Sequence, residues 1–235
     1  MENSKKLSLD IKSMYPNCCV VLGGNMGASA NVLLRKAAID LIVLGEGEEI
    51  FLDVVRKLEK TNNLDDFNDI TGLAYLDSTG ALVNTGYREQ VSADEIYDID
   101  WDDLAKATDI NIYFPVANDP NSPSAHLDKD PRFKDPWRSG KNYGYLYTSK
   151  GCVSRCTFCH RWDKGIRFIP VKKVMERLDE IIEEYNVGFL RVADENFGTN
   201  RRWLEEFCGE IKKRDILFHV GTRAKGVTPE TLKML

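Results

Sequence analysis

Three cysteines fall within one short segment, SKGCVSRCTFCHRWDKG: Cys152, Cys156 and Cys159. Thiolates are soft ligands that suit zinc or iron–sulfur clusters. Their spacing is too tight for ordinary disulfide pairing, and a structural zinc site needs one ligand more than this group supplies. A cubane cluster has an iron for each of three cysteines and one left over, open to a small molecule. His160 adjoins Cys159, and adjacent residues rarely both reach one tetrahedral metal. A zinc site would draw its last ligand from His126, His219 or Cys208.

The elements around this loop follow from hydrophobic period. YGYLYTSKG (143–151) predicts a strand that delivers the cysteines at its C-terminal end, where βα barrels build their active sites. VKKVMERLDEIIEEYN predicts a helix with Val171, Val174, Leu178, Ile182 and Tyr185 on one face and Pro170 near its start. FLRVADENFG (189–198) predicts the next strand. NRRWLEEFCGEIKKRD (200–215) predicts a helix facing inward through Trp203, Leu204, Phe207 and Ile211. ILFHVGTRAKG (216–226) predicts a third strand, and TPETLKML begins a helix with Thr228 as its cap. Three βα units do not close a barrel, so residues 141–235 read as the first part of one.

Upstream, CCVVLGG (18–24) and LIVLGEG (41–47) are short, rich in β-branched residues and end in glycine, as buried parallel strands do. SANVLLRKAAID (29–40) between them predicts a helix. EEIFLDVVRKLEK (48–60) predicts another, with Ile50, Phe51, Val54, Val55 and Leu58 at helical spacing. Strand–helix–strand–helix is the grammar of a doubly wound sheet. Beyond residue 62, ITGLAYLDSTGALVNTGYREQV alternates around DSTG and predicts a hairpin. Five of the eight prolines lie between Pro115 and Pro136, which marks a connector running to residue 140. The expected division is therefore 1–62, 63–140 and 141–235.

The bulk composition excludes some classes of function. A formal charge of −5 with 43% hydrophobic residues gives no general electrostatic attraction to nucleic acid or to an anionic membrane surface. A local basic set, Arg155, Arg161, Lys164 and Arg167, could still meet a phosphate or carboxylate. No apolar run has the length of a membrane span, and MENSKKLSLDIKSMYPN lacks the apolar core of a signal peptide. Clustered thiols without such a signal point to a reducing, cytoplasmic compartment and to metal rather than disulfides. Cys18, Cys19 and Cys208 read as buried apolar residues.

Cys152-Val-Ser-Arg-Cys156-Thr-Phe158-Cys159 resembles the cysteine motif of the radical S-adenosylmethionine (SAM) enzymes, aromatic residue included. The resemblance implies that the three cysteines hold a [4Fe–4S] cluster and that SAM chelates the open iron. Reductive cleavage of SAM would then give a 5′-deoxyadenosyl radical that takes hydrogen from a substrate. It implies that Phe158 packs near the adenine. Asp194 or Glu195, in VADENFG, would meet the SAM amino group, and Arg223 the SAM carboxylate or the substrate. An electron donor such as flavodoxin or ferredoxin is implied as partner, beside a small-molecule or peptide substrate.

The order of parts further resembles the cobalamin-binding subclass of that superfamily. VVLGGNMGAS (20–29) and LIVLGEGEEIF (41–51) match the last strands of its cobalamin domain and the loops after them. Gly23, Gly24, Asn25, Gly45, Glu46, Gly47 and Glu48 would line the nucleotide tail or the corrin face. The implied fold is α/β: the C-terminal part of a Rossmann-like cobalamin-binding domain, then the N-terminal part of a radical SAM barrel. The chain is expected to be an internal piece of a longer protein that binds cobalamin, with a methyl transfer or carbon-skeleton modification as its reaction. The alternative is a non-catalytic zinc or iron–sulfur module.

Overall fold

The computed structural model describes residues 2–117, 119, 131–159 and 165–235. It divides into two compact units, 1–90 with 154–164, and 91–153 with 165–235. The first unit runs to residue 90 and takes in the hairpin.

The first unit opens with a helix that the sequence pattern did not announce, α1 (Glu2–Met14). Its apolar residues Leu7 and Leu9 are exposed, and it is held instead by polar contacts. Lys12 Nζ lies 2.7 Å from Asp40 and donates to the carbonyl of Cys18 at 2.7 Å. The buried Ser8 hydroxyl accepts from the amide of Ala38. Strand β1 is only Val21–Leu22, much shorter than the apolar run around it, and pairs in parallel with β2 (Leu41–Val43). Between them lie a 3-10 turn and helix α2 (Ala30–Lys36), and α3 (Glu48–Leu58) follows.

Side chains of β2 alternate as a strand covered on both faces must. Ile42 and Leu44 pack with Leu33 and Leu34 of α2, while Leu41 and Val43 pack with Ile50 and Val54 of α3. Phe51 and Val55, on the same helical run, are 51% and 40% exposed, while Ile50 and Val54 carry the contact with the sheet. The predicted hairpin forms as β3 (Leu73–Leu76) and β4 (Leu82–Asn84) and joins this same sheet, β3 running antiparallel to β2. Its turn is organised by Asp77, whose Oδ1 accepts from the amides of Thr79 and Ala81 at 2.9 Å each. Those bonds, led by the Thr79 hydroxyl, hold the Asp77 carboxyl below the usual range.

In the second unit the expected connector is partly a packed element. Asp100 caps α4 (Trp101–Ala107) by accepting from Asp103, and Trp101 and Phe114 enter the core beside Tyr185. Phe114 stacks on Tyr185 with ring centroids 4.1 Å apart. The Pro-rich stretch 120–130, with His126, lies outside the described residues, as does 160–164.

Three strands form a parallel sheet in the order β5 (Asn142–Leu146), β8 (Val187–Val192), β9 (Leu217–Val220). Helices α5 (Val171–Tyr185) and α6 (Arg201–Ile211) cover one face, where Leu146, Leu190 and Val192 meet Leu178, Ile181 and Phe207. On the opposite face Tyr143 and Phe189 join Ala117 and Leu217 in a small apolar cluster. The last helix, α7 (Pro229–Met234), is capped as predicted, Thr228 accepting from the amide of Thr231.

Candidate metal and cofactor site

The predicted strand 143–151 is two strands with a break. After β5 the chain turns at Tyr147–Thr148 and forms β6 (Ser149–Cys152), which pairs antiparallel with β7 (Gly165–Phe168). Cys152 stands opposite Gly165 at the open end of this ribbon, and the chain joining the two strands carries Cys156 and Cys159. Cys159 donates its amide to the carbonyl of Cys156 at 3.1 Å, so those two share one tight turn. All six cysteines are thiols outside any disulfide. Cys152 and Cys156 are half-buried, Cys159 is exposed, and Phe158 between them is 88% exposed. Among the described residues no three His, Cys, Asp or Glu side chains are gathered at metal-binding distance. The donor set itself, three accessible thiols on one short loop, fits a cluster with a position left for another ligand.

Sequence reasoning missed how the ribbon is fastened. Asp194, just past the end of β8, is buried, and its carboxylate accepts four hydrogen bonds from Thr148 and Ser149. The amides approach at 2.7 and 3.1 Å and both hydroxyls at 2.6 Å. A buried carboxylate needs its lone pairs filled, and these four donors fill them. On the return strand, Ile169 donates to the carbonyl of Thr148, and Trp203 of α6 donates its indole N–H to the carbonyl of Ile169 at 2.7 Å. The cysteine ribbon is thus clamped on both strands to the parallel sheet and its helix.

This separates the two carboxylates proposed for the SAM amino group. Both oxygens of Asp194 are committed within the protein, while the Glu195 side chain is exposed. Asn196 is buried and its side-chain oxygen accepts from the amide of Arg223, which fixes that residue's backbone beyond β9 and leaves its side chain at the surface. His160, Arg161 and Lys164 lie outside the described residues. Cys208 is buried in the α6 core, and burial pushes its thiol up, so it is not placed as a further metal ligand.

In the first unit the two glycine loops sit at one edge, because β1 and β2 are parallel and their C-terminal ends coincide. Gly23, Gly24 and Asn25 follow β1 and are exposed; Gly45, Glu46, Gly47 and Glu48 follow β2 and lead into α3. Gly24 and Gly45 have φ of 76° and 104°, a backbone that glycine adopts without strain. A Cβ on Gly24 would meet nothing within 4 Å, so that exposed position is open. Cys19 is not part of this edge: burial first, then the charge of Asp40, raises its thiol to about 11. A cavity of about 1020 Å³ in this unit is lined by Asp53, Lys57, Asp69 and Arg88, none of them a candidate above. Two ion pairs lie in its lining, Arg88 with Asp53 at 2.9 Å and Lys57 with Asp69 at 2.8 Å.

Comparison with known proteins gives a consistent set. No protein-family model matches the chain. The anaerobic magnesium-protoporphyrin IX monomethyl ester cyclase of Rubrivivax gelatinosus is 28% identical over 222 residues, 92% of this chain and 36% of that protein. The cytidylyl-2-hydroxyethylphosphonate methyltransferase of Streptomyces wedmorensis is 27% identical over 187 residues, 74% of this chain and 33% of that one. Among solved structures, the cobalamin-dependent radical SAM enzyme OxsB with aqua-cobalamin and SAM bound superposes with a TM-score of 0.66 at 22% identity. The match covers 98% of this chain and 32% of that one. The radical SAM methyltransferase TsrM of Kitasatospora setae, with cobalamin and a [4Fe–4S] cluster bound, gives 0.55 at 16% identity, over 89% of this chain and 36% of that one. The chain spans about a third of the length of the relatives it matches. Among the described residues no helix is long and apolar enough to cross a membrane.

Proposed function

We propose that this chain, which belongs with the cobalamin-binding radical SAM proteins, is the part of such an enzyme that carries its cluster loop and one edge of its cobalamin domain. The observation that carries the reading is the clamped ribbon. Cys152 stands on β6, and Asp194 ties the start of that strand to the end of β8. Cys156 and Cys159 follow on the same loop. In this reading the three thiolates hold a [4Fe–4S] cluster, which when bound supplies the electron that splits SAM; the radical chemistry is the cofactor's own. The protein's share is to hold and orient. Glu195 takes the SAM ammonium, since a carboxylate suits it and Asp194 is committed elsewhere. Phe158 covers the adenine, and Arg223 lies near the SAM carboxylate. The loops at 23–25 and 45–48 approach cobalamin in the whole protein, whose reaction is a methyl transfer or a ring formation.

Anaerobic reconstitution with iron and sulfide, followed by electron paramagnetic resonance of the reduced chain, tests this directly. The expected result is a cluster signal that moves when SAM is added and is absent from a C152A/C156A/C159A variant. A colourless protein holding one tightly bound zinc would refute it and favour a structural metal module. A cluster signal indifferent to SAM would show that this chain lacks the SAM pocket.

A further inference from the structure

The face of the β5–β8–β9 sheet turned away from α5 and α6 changes character along the strands. Its first row is the apolar cluster of Tyr143, Phe189 and Leu217. Side chains alternate with a period of two, so the next row on the same face is Tyr145, Arg191 and His219. The strand register puts them side by side: Tyr145 opposite Arg191, and Arg191 opposite His219. Beyond them, towards the strand ends, come Ala193 and Gly221. A Cβ built on Gly221 would meet only the carbonyl oxygen of Asp194, at 3.9 Å, so that position beyond the polar row has room.

Arg191 is half-buried on the central strand. Among the described residues its guanidinium has no hydrogen bond or ion pair. Taking a guanidinium partly out of water without a partner is unfavourable, and the loss is recovered when an oxyanion arrives in its fork. Tyr145 and His219 border it on either side in the strand register. A planar, bidentate donor is suited to a carboxylate or phosphate.

We propose that Arg191, between Tyr145 and His219 in the strand register, binds an oxyanionic group of the substrate on the sheet face turned away from α5 and α6. That the bound molecule is substrate rests on the radical SAM reading; oxyanion binding at Arg191 does not, and the two are tested apart. The chain, without a cluster, is titrated with inorganic phosphate while the Arg191 side-chain Nε–H resonance is followed by nuclear magnetic resonance. Saturable movement is expected, with a dissociation constant of roughly millimolar order. Arg191→Gln should weaken it about tenfold or more, and Arg191→Lys, which keeps the charge, should restore part of the affinity. The same thermal midpoint in all three proteins would confirm that they are folded. Phosphate binding equal in wild type and R191Q, or none in wild type, overturns the assignment. In the chain reconstituted with its cluster, displacement of phosphate by SAM would assign the site to the SAM carboxylate, and the substrate assignment would fail. Simultaneous binding of SAM and phosphate supports it.

Discussion

Asp194 accepts from both the amide and the hydroxyl of Ser149, at 3.1 and 2.6 Å, across 45 residues of chain. With Thr148 making the same pair of bonds, one carboxylate sets the direction in which the cysteine strand leaves the sheet. We predict that Asp194→Ala lowers stability by about 3 kcal/mol, because buried donors lose a charged acceptor. It should also reduce iron incorporation on reconstitution. Glu195→Gln, at an exposed neighbour, should stay within about 0.5 kcal/mol of wild type and alter only the response to SAM. Urea denaturation of the three proteins, read beside iron content, checks this. A D194A variant as stable as wild type would remove the clamp from the account.

Arg214, just after α6, donates from Nε and a terminal nitrogen to the two oxygens of Asp179 on α5, each at 2.5 Å. That pairing holds the Asp179 carboxyl below its ordinary value, with the Arg214 hydrogen bonds as the largest cause. A lowered folded value means that the contribution is present above the unfolded carboxylate range, about 4, and is lost as pH falls through the folded value. Wild type should therefore lose more stability between pH 6 and pH 3 than Asp179→Asn does. Urea midpoints at both pH values measure the difference, and parallel losses would contradict the linkage.

The thiols should separate by reactivity in the cluster-free chain. At pH 8 Cys19, raised to about 11, exposes so little thiolate that it should alkylate about two orders of magnitude more slowly than a free thiol. Cys208 should also lag, being raised and buried in α6. Cys159, exposed, should be modified early. Mass mapping of iodoacetamide adducts over time settles the order; early labelling at Cys19 would contradict its burial beside Asp40.

The legible parts of the fold were those where period and cap agree. Helix α5 was readable from Val171, Val174 and Leu178, and α7 from Thr228, because local pattern and tertiary packing ask for the same residues. Helix α1 was not, since it buries no apolar stripe and is held by Lys12 and Ser8 through residues far along the chain. The break between β5 and β6 was also invisible. YGYLYTSKG is a uniform run, and the bonds that mark the break at Thr148 come from far along the chain, to Asp194 and from Ile169. The cysteines of the candidate site could be read from spacing alone. The different surroundings of Asp194 and Glu195 could not, because adjacent carboxylates look alike until burial separates them.

Strand β8 keeps two ledgers on alternate residues. Leu190 and Val192 face α5 and α6 and hold the strand in place, while Phe189 and Arg191 face the other way. A lineage can therefore exchange residue 191 without disturbing what anchors its neighbours. On the binding proposed for Arg191, the residue that meets the ligand and the residues that seat the strand alternate, so one can change while the other stays put.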